Sequence, residues 1–226
     1  MDDIFRRIAY CIERGKSSQQ ALYPPDMRGQ AGAAEWTEKA LEAEIPASEI
    51  LDKGLVIGMH NIGEKFSKGE AFIPDLLIAA QAMNAAMEML KPYFDSGETH
   101  YKGTFVIGTV AGDLHDIGKN IVRMVMEGAG WKVIDLGTNV STENFLKAID
   151  EYPGPLVGMS ALLTTTMVNM EKSVREIKAN SPQVKIFIGG APVTDSFSTK
   201  IGADAYFPDP HELVDYLKRT KGEKKG

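Results

Sequence analysis

The chain has 226 residues, 43% hydrophobic and 25% charged, with a formal net charge of −6. That length admits one large domain or two small ones, and the acid excess excludes a general nucleic-acid binder, which would carry a basic face. A single cysteine, Cys11, excludes an intrachain disulfide and a cysteine-built metal site.

The opening stretch MDDIFRRIAYCIERGK has no long apolar core, so a secretory signal is not expected. No run of about 18 apolar residues follows, so no membrane span is expected either, and the setting is expected to be cytoplasmic. Residues 1–94 read as helical. A helix over 2–14 places Ile4, Phe5, Ile8 and Ile12 on one face. The stretch GKSSQQALYPPDMRGQAG (15–32) has no sustained period and reads as an irregular connection. A helix over 33–44 comes next. Pro46 and Ser48 mark another start, with Ser48 as N-cap. Leu51, Leu55, Met59, Ile62 and Phe66 then recur at three- and four-residue steps. SKGEAF (67–72) reads as a turn, and Pro74 lies where proline is tolerated, in the first turn of the next helix. Ile73, Leu76, Leu77, Ala80, Met83, Met87 and Leu90 carry that helix to Pro92. Short turns between such helices imply a small bundle.

The polar stretch DSGETHYKG (95–103) reads as a linker and a hinge. After it the texture changes. TFVIGTV (104–110), KVIDLG (132–137), PLVGMS (155–160), KIFIGG (185–190) and AYF (205–207) are short apolar runs, as expected of strands buried on both faces. Helical stretches over 118–129, 141–151, 165–180, 195–202 and 210–220 alternate with them. This predicts an α/β domain over 104–226, a flavodoxin-like, Rossmann-like doubly wound sheet of five parallel strands. The basic end LKRTKGEKKG reads as a frayed terminus.

Ligands on such sheets bind beyond the carboxyl ends of the strands, near the reversal in strand order. The segments expected there are AGDLHDIG, LGTN, SALLTTT, GGAPVT and PDP. GDLHDIGKNI (112–121) stands out, with Asp113, His115 and Asp116 within four residues. A carboxylate beside an imidazole fixes its tautomer. The pair then suits a metal ligand or a general base, although a lone loop histidine has neither role as a rule. Asp116 suits the cap of the helix that begins near Gly118. Thr164 or Thr165 suits the N-cap of helix 165–180. Neither a dinucleotide fingerprint nor a phosphate-loop lysine is present. His60, His100 and His211 lie far from His115 in sequence, so an all-protein metal site is not expected. A histidine binding metal here would supply one axial ligand to a metal already held in a macrocycle.

As a set, Asp113-x-His115-x-x-Gly118, then Ser160-x-Leu162, then Gly189-Gly190 resembles the DxHxxG…SxL…GG signature of cobalamin-binding domains. Methionine synthase, the base-off B12 mutases and the methyltransferase corrinoid proteins carry it. The helical half from Gly54 to Pro92 looks like the methyl-cap bundle that precedes such domains, whereas residues 15–35 depart from it. The resemblance implies cobalamin as cofactor, with methylcobalamin as its loaded form, bound base-off with His115 as lower cobalt ligand and Asp113 as its partner. By motif it places Gly112, Leu114, Asp116, Ile117 and Gly118 at the cofactor. It also puts Ser160, Leu162, Gly189 and Gly190 along the nucleotide tail. Thr164 lies beside that tail, Thr166 completes an Asp–His–hydroxyl relay, and Phe72 of the cap lies over the cobalt.

The function implied is a methyl carrier that is not catalytic alone. Its partners would be a substrate-specific methyltransferase, an acceptor methyltransferase serving tetrahydrofolate or a thiol, and a reductive activator. Neither nucleic acid nor membrane is an expected partner. A cobalamin storage or sensor protein is the alternative.

Overall fold

A computed structural model describes residues 2–97 and 99–222. Glu98 of the expected linker and 223–226 of the expected frayed end lie outside the described residues. By internal contacts the chain divides into two compact units. One holds the chain up to Tyr101 together with Glu127–Gly130; the other holds Lys102–Met126 and the chain from Trp131 onward.

The first unit is helical. It comprises α1 (Asp2–Glu13), α2 (Ala33–Glu42), α3 (Ala47–Glu49), a π-helical segment Ile50–Leu55 running into α4 (Val56–Ser67), and α5 (Ile73–Asp95). Phe5, Ile8 and Ile12 of α1 are buried. They are met by two glycines four residues apart. A Cβ on Gly54 would stand 3.1 Å from Ile8 Cγ2, and one on Gly58 would stand 2.7 Å from the Ala9 carbonyl oxygen. The absence of side chains at these positions therefore sets how closely α1 approaches.

Two expectations are corrected here. Ser48 is not an N-cap: the cap position is Pro46, whose carbonyl accepts from the amides of Glu49 and Ile50 at 2.9 and 3.1 Å. The last helix does not stop at Pro92 but runs through it to Asp95. A proline near a helix end forfeits one backbone hydrogen bond without breaking the helix.

The irregular stretch 15–32 is organised around charged groups. Lys16 is fully buried and donates from its ammonium to the Ala21 carbonyl at 2.8 Å. The Glu35 carboxylate closes the loop, accepting from the amides of Gln19 and Gly32, both at 2.8 Å. Arg14 Nη2 donates to both carboxylate oxygens of Asp26 at 2.8 and 2.9 Å.

The second unit is a five-stranded, all-parallel sheet in the order β2-β1-β3-β4-β5. Its strands are β1 (Thr104–Thr109), β2 (Lys132–Asp135), β3 (Leu156–Ser160), β4 (Lys185–Gly189) and β5 (Ala205–Tyr206). Its helices are α6 (Ile117–Gly128), α7 (Thr142–Glu151), α8 (Met167–Asn180), α9 (Asp195–Ile201) and α10 (Pro210–Gly222). This is the expected doubly wound fold. Phe105, Val106 and Ile107 of β1, Val157 and Met159 of β3 and Ile186 and Ile188 of β4 are buried, because helices cover both faces. The strand order reverses between β1 and β3, which opens a crevice beyond their carboxyl ends. Register puts Thr109, Ser160 and Gly189 side by side on the three central strands at that edge.

No helix among the described residues is long and apolar enough to cross a membrane.

Candidate functional site

The loop after β1 turns at Ala111–Gly112 and runs to α6, and Asp113 is its anchor. The Asp113 side chain is 0% exposed, and a buried charge needs partners. It has five donors. Oδ1 accepts from the His115 amide at 3.1 Å and stands 2.7 Å from His115 Nδ1. Oδ2 accepts from the amides of Leu162 and Leu163 at 2.8 and 3.2 Å and from the Thr166 hydroxyl at 2.8 Å. Burial works to raise the Asp113 pKa. The Leu162 amide, the His115 ring, the Thr166 hydroxyl and the His115 amide outweigh it and hold the carboxyl well below the usual carboxylate range.

An ionised Asp113 only accepts, so a singly protonated imidazole here carries its proton on Nδ1 and its lone pair on Nε2. The His115 side chain is 51% exposed. The far end of this loop is thus an imidazole whose Nδ1 is engaged by a carboxylate, the arrangement of metal-bound histidines. Thr109, at the end of β1, donates from its hydroxyl to the His115 carbonyl at 2.9 Å and pins the loop from below.

Exposed apolar side chains lie on both of the loops that meet at Asp113. Leu114, Ile117, Leu162 and Leu163 are all exposed. A Cβ on Gly118 would meet nothing within 4 Å, so the first turn of α6 faces open room. Among the described residues no group of three His, Cys, Asp or Glu side chains could hold a metal ion. One imidazole ligand, an apolar rim and a roomy helix start fit a metal that arrives with its own equatorial ligands, as in a macrocycle. Cys11 is not an alternative ligand: it is buried in the helical unit, and burial pushes its thiol up to about 11.

Several expected site residues have other surroundings than the sequence suggested. Neither Thr164 nor Thr165 caps α8. Both are exposed, and α8 starts at Met167 with Thr166 at the cap position. The Thr166 hydroxyl makes no capping bond, because it is drawn to Asp113 and the Leu163 carbonyl. Gly190 is required by the protein itself. At φ +129° its Cβ would collide with the Ala161 carbonyl oxygen, while one on Gly189 would stand 3.3 Å from the Phe207 carbonyl oxygen. Asp116 directly precedes α6, where its carbonyl accepts from the Asn120 amide at 2.8 Å and its carboxylate from the Asn120 side chain at 3.0 Å. Ser160 is half-buried at the end of β3. Phe72, which opens α5 in the helical unit, is 68% exposed rather than packed in a core.

Three residues of the site escaped the sequence reading: Thr109, Asn139 and Asn169. Asn139 Oδ1 accepts from the Gly112 amide at 2.7 Å, and Asn169 Nδ2 donates to the Ala111 carbonyl at 2.7 Å. The only sequence signal was the place of Asn139 in LGTN, at the carboxyl end of β2.

A family model described as "B12 binding domain" matches residues 103–214, and a second model of the same description matches residues 30–91. Trimethylamine corrinoid protein 1 of Methanosarcina acetivorans is 44% identical over 186 residues, covering 80% of this chain and 86% of the relative. Dimethylamine corrinoid protein 1 of the same organism is 41% identical over 180 residues, covering 78% and 84%. Among solved structures, the methanol:cobalamin methyltransferase complex MtaBC from Methanosarcina barkeri aligns with a TM-score of 0.80 at 28% identity, over 97% of this chain and 80% of that one.

Proposed function

This chain belongs to the B12-binding methyltransferase corrinoid proteins, and from that premise we propose that it is the methyl-carrying subunit of a methylated-amine methyltransferase system. The observation that carries the reading is the buried Asp113 carboxylate on His115 Nδ1 at 2.7 Å, at the strand-order reversal. The identities to trimethylamine and dimethylamine corrinoid proteins support the donor class.

When bound, the corrinoid supplies a cobalt that takes up and gives back a methyl group. The protein's own part is ligation and shielding. Asp113 keeps the Nδ1 proton in place and so offers Nε2 to cobalt, with a basicity raised by the carboxylate behind it. Leu114 and Ile117, exposed on either side of His115 in the chain, would lie against the corrinoid and keep water from the ligand bond, and Leu162 would line the tail. Gly118, whose Cβ would meet open space, together with Ser160 and Gly189, paired at the sheet edge, would leave room for the nucleotide tail. Gly112 and Asp116 shape the two ends of the ligand loop, and Gly190 and Thr164 would lie beside the tail.

Two protein partners belong to this reading, a methylamine:corrinoid methyltransferase and a methylcorrinoid:acceptor methyltransferase, together with a reductive activator. The MtaBC complex, in which such a pairing carries the name of a methanol enzyme, supports the first of them.

The test uses 15N-labelled protein reconstituted with unlabelled cobalamin. In the cobalt(II) state, a protein nitrogen on the metal gives an electron paramagnetic resonance splitting that changes from three lines to two on labelling. His115→Ala is expected to retain the corrinoid and lose this label-dependent splitting. Turnover with a trimethylamine or dimethylamine methyltransferase, monitored by absorbance, tests the carrier role. Tight binding without turnover by either enzyme would instead point to a storage or sensor protein.

A further inference from the structure

The Ala111–Gly112 peptide is held at both of its polar atoms by asparagines from different elements. Asn169, in the first turn of α8, donates its Nδ2–H to the Ala111 carbonyl at 2.7 Å. Asn139, in the loop between β2 and α7, accepts the Gly112 amide on Oδ1 at 2.7 Å. The backbone N–H of Asn139 also donates to the Asp113 carbonyl at 2.9 Å. It does so from a φ of +54°, a region that asparagine tolerates better than most side chains.

This peptide is the centre of a turn. The Asp113 amide donates to the Val110 carbonyl at 3.1 Å, and Gly112 has φ +81° while Ala111 lies outside the positive-φ region. That combination is a type II turn, which differs from type I by inversion of the central peptide. The peptide held by the two asparagines is that central one. Inversion would break both side-chain bonds at once.

We propose that Asn139 and Asn169 form a two-ended clamp that positions the His115 ligand. They act by fixing the turn from which Asp113 departs. Asp113 has to meet donors from its own loop, from Leu162 and Leu163 after β3, and from Thr166 at the head of α8. A carboxylate with five fixed partners tolerates little change in the direction of its Cα–Cβ bond. Asn169 and Thr166 lie one helical turn apart at the start of α8, so one helix end sets both the turn and the carboxylate. Asn139 and Asn169 are positioning residues, acting on the imidazole through the turn and Asp113. The inference rests on the reading of His115 as cobalt ligand.

The clamp has a polarity that a mere space-filling role lacks. Asn139 uses its oxygen, and Asn169 uses its amide hydrogen. Asn139→Asp keeps the acceptor, whereas Asn169→Asp sets an acceptor against a carbonyl. Asn139→Gly keeps the positive φ and deletes the bond.

The experiment has two readouts. Hydrogen exchange of the Gly112 amide by NMR reports the clamp in protein without corrinoid. The label-dependent cobalt(II) splitting described above reports the ligand bond. Asn169→Asp and Asn139→Gly are expected to speed Gly112 exchange and to shift the ligand equilibrium away from His115 by about threefold to tenfold, the net effect of one hydrogen bond. Asn139→Asp is expected to stay near wild type in both. If the two aspartate variants behave alike, or if Asn169→Asp and Asn139→Gly keep the full splitting, the clamp does not position His115 and the inference is overturned. If Asn139→Gly fails to fold, the contrast between the aspartate variants decides alone. Wild-type protein that shows a protected Gly112 amide but no label-dependent splitting would overturn the cobalt-ligand reading, a failure separate from that of the clamp.

Discussion

The Thr166 hydroxyl oxygen lies 2.8 Å from Asp113 Oδ2, joining the head of α8 to the loop after β1 across 53 positions of chain. The same hydroxyl lies 2.9 Å from the Leu163 carbonyl, so its single proton is shared between a charged and a neutral acceptor. Thr166→Val keeps the shape and deletes the donor. Loss of a hydrogen bond to a buried charge is expected to lower stability by about 1–3 kcal/mol, read from urea unfolding of the protein without corrinoid. Thr166→Ser is expected to recover most of the loss. A valine variant as stable as wild type would mean that the hydroxyl adds nothing to the hold on Asp113.

The glycines of the motif divide into two kinds, which substitution separates. Gly190→Ala would force a Cβ onto the Ala161 carbonyl from a backbone at φ +129°. It is expected to destabilise by about 3 kcal/mol or more, whether or not a ligand is present. Gly118→Ala meets open space in α6, so stability is expected to hold or rise by up to about 1 kcal/mol. Its effect should fall on cobalamin affinity, lowered by about tenfold, measured by titration with hydroxocobalamin. Unchanged affinity in Gly118→Ala would remove this residue from the proposed tail pocket.

Acid sensitivity has an identifiable contributor away from the site. Asp204, just before β5, is a half-buried acceptor. Burial raises its pKa, but the ammonium groups of Lys178 and Lys185, at 2.5 and 2.8 Å, and the Ile186 amide outweigh that and leave it lowered. A lowered folded-state pKa means that the stabilising contribution is whole above the unfolded carboxylate value of about 3.9 and is lost as pH falls below it. Asp204→Asn is expected to lose about 2 kcal/mol at pH 7 and to differ progressively less from wild type as the pH drops to 3. Urea midpoints at both pH values check this. An equal deficit at the two values would contradict it.

The buried Lys16 ammonium offers a test of the irregular stretch. Lys16→Met keeps much of the volume and removes the bond to the Ala21 carbonyl. Because the loop is also closed by Glu35 and by Arg14–Asp26, the helices are expected to stay folded while the loop loosens. Limited proteolysis should then cut within 17–31 several times faster than in wild type, with little change in helical circular dichroism.

The central strands β1, β3 and β4 were readable because their runs are apolar on both faces, and strict alternation with helices implied the parallel order and carried the weaker edge strands β2 and β5 with it. The helix starts were less readable. Thr164 and Thr165 look like caps to any local rule, yet the next threonine stands at the helix head, and its hydroxyl serves a carboxylate brought from another strand. Ser48 failed for the opposite reason: Pro46 already starts the turn. Asp113 and His115 stood out through their spacing. Asn139 and Asn169 did not, because a side chain that bonds a distant backbone peptide leaves no period, charge or spacing behind. Lys16 was invisible in the same way, since nothing local marks a lysine that the fold will bury.

Leu162 and Leu163 turn their amides inward to Asp113 and their side chains outward to solvent. Anchor and face are therefore carried by different atoms of the same two residues. Any side chain but proline at 163 keeps the amide that steadies the carboxylate, so this part of the outer surface can be resculpted without disturbing Asp113. A scaffold built in this way can drift toward a new partner while the anchored carboxylate stays in place.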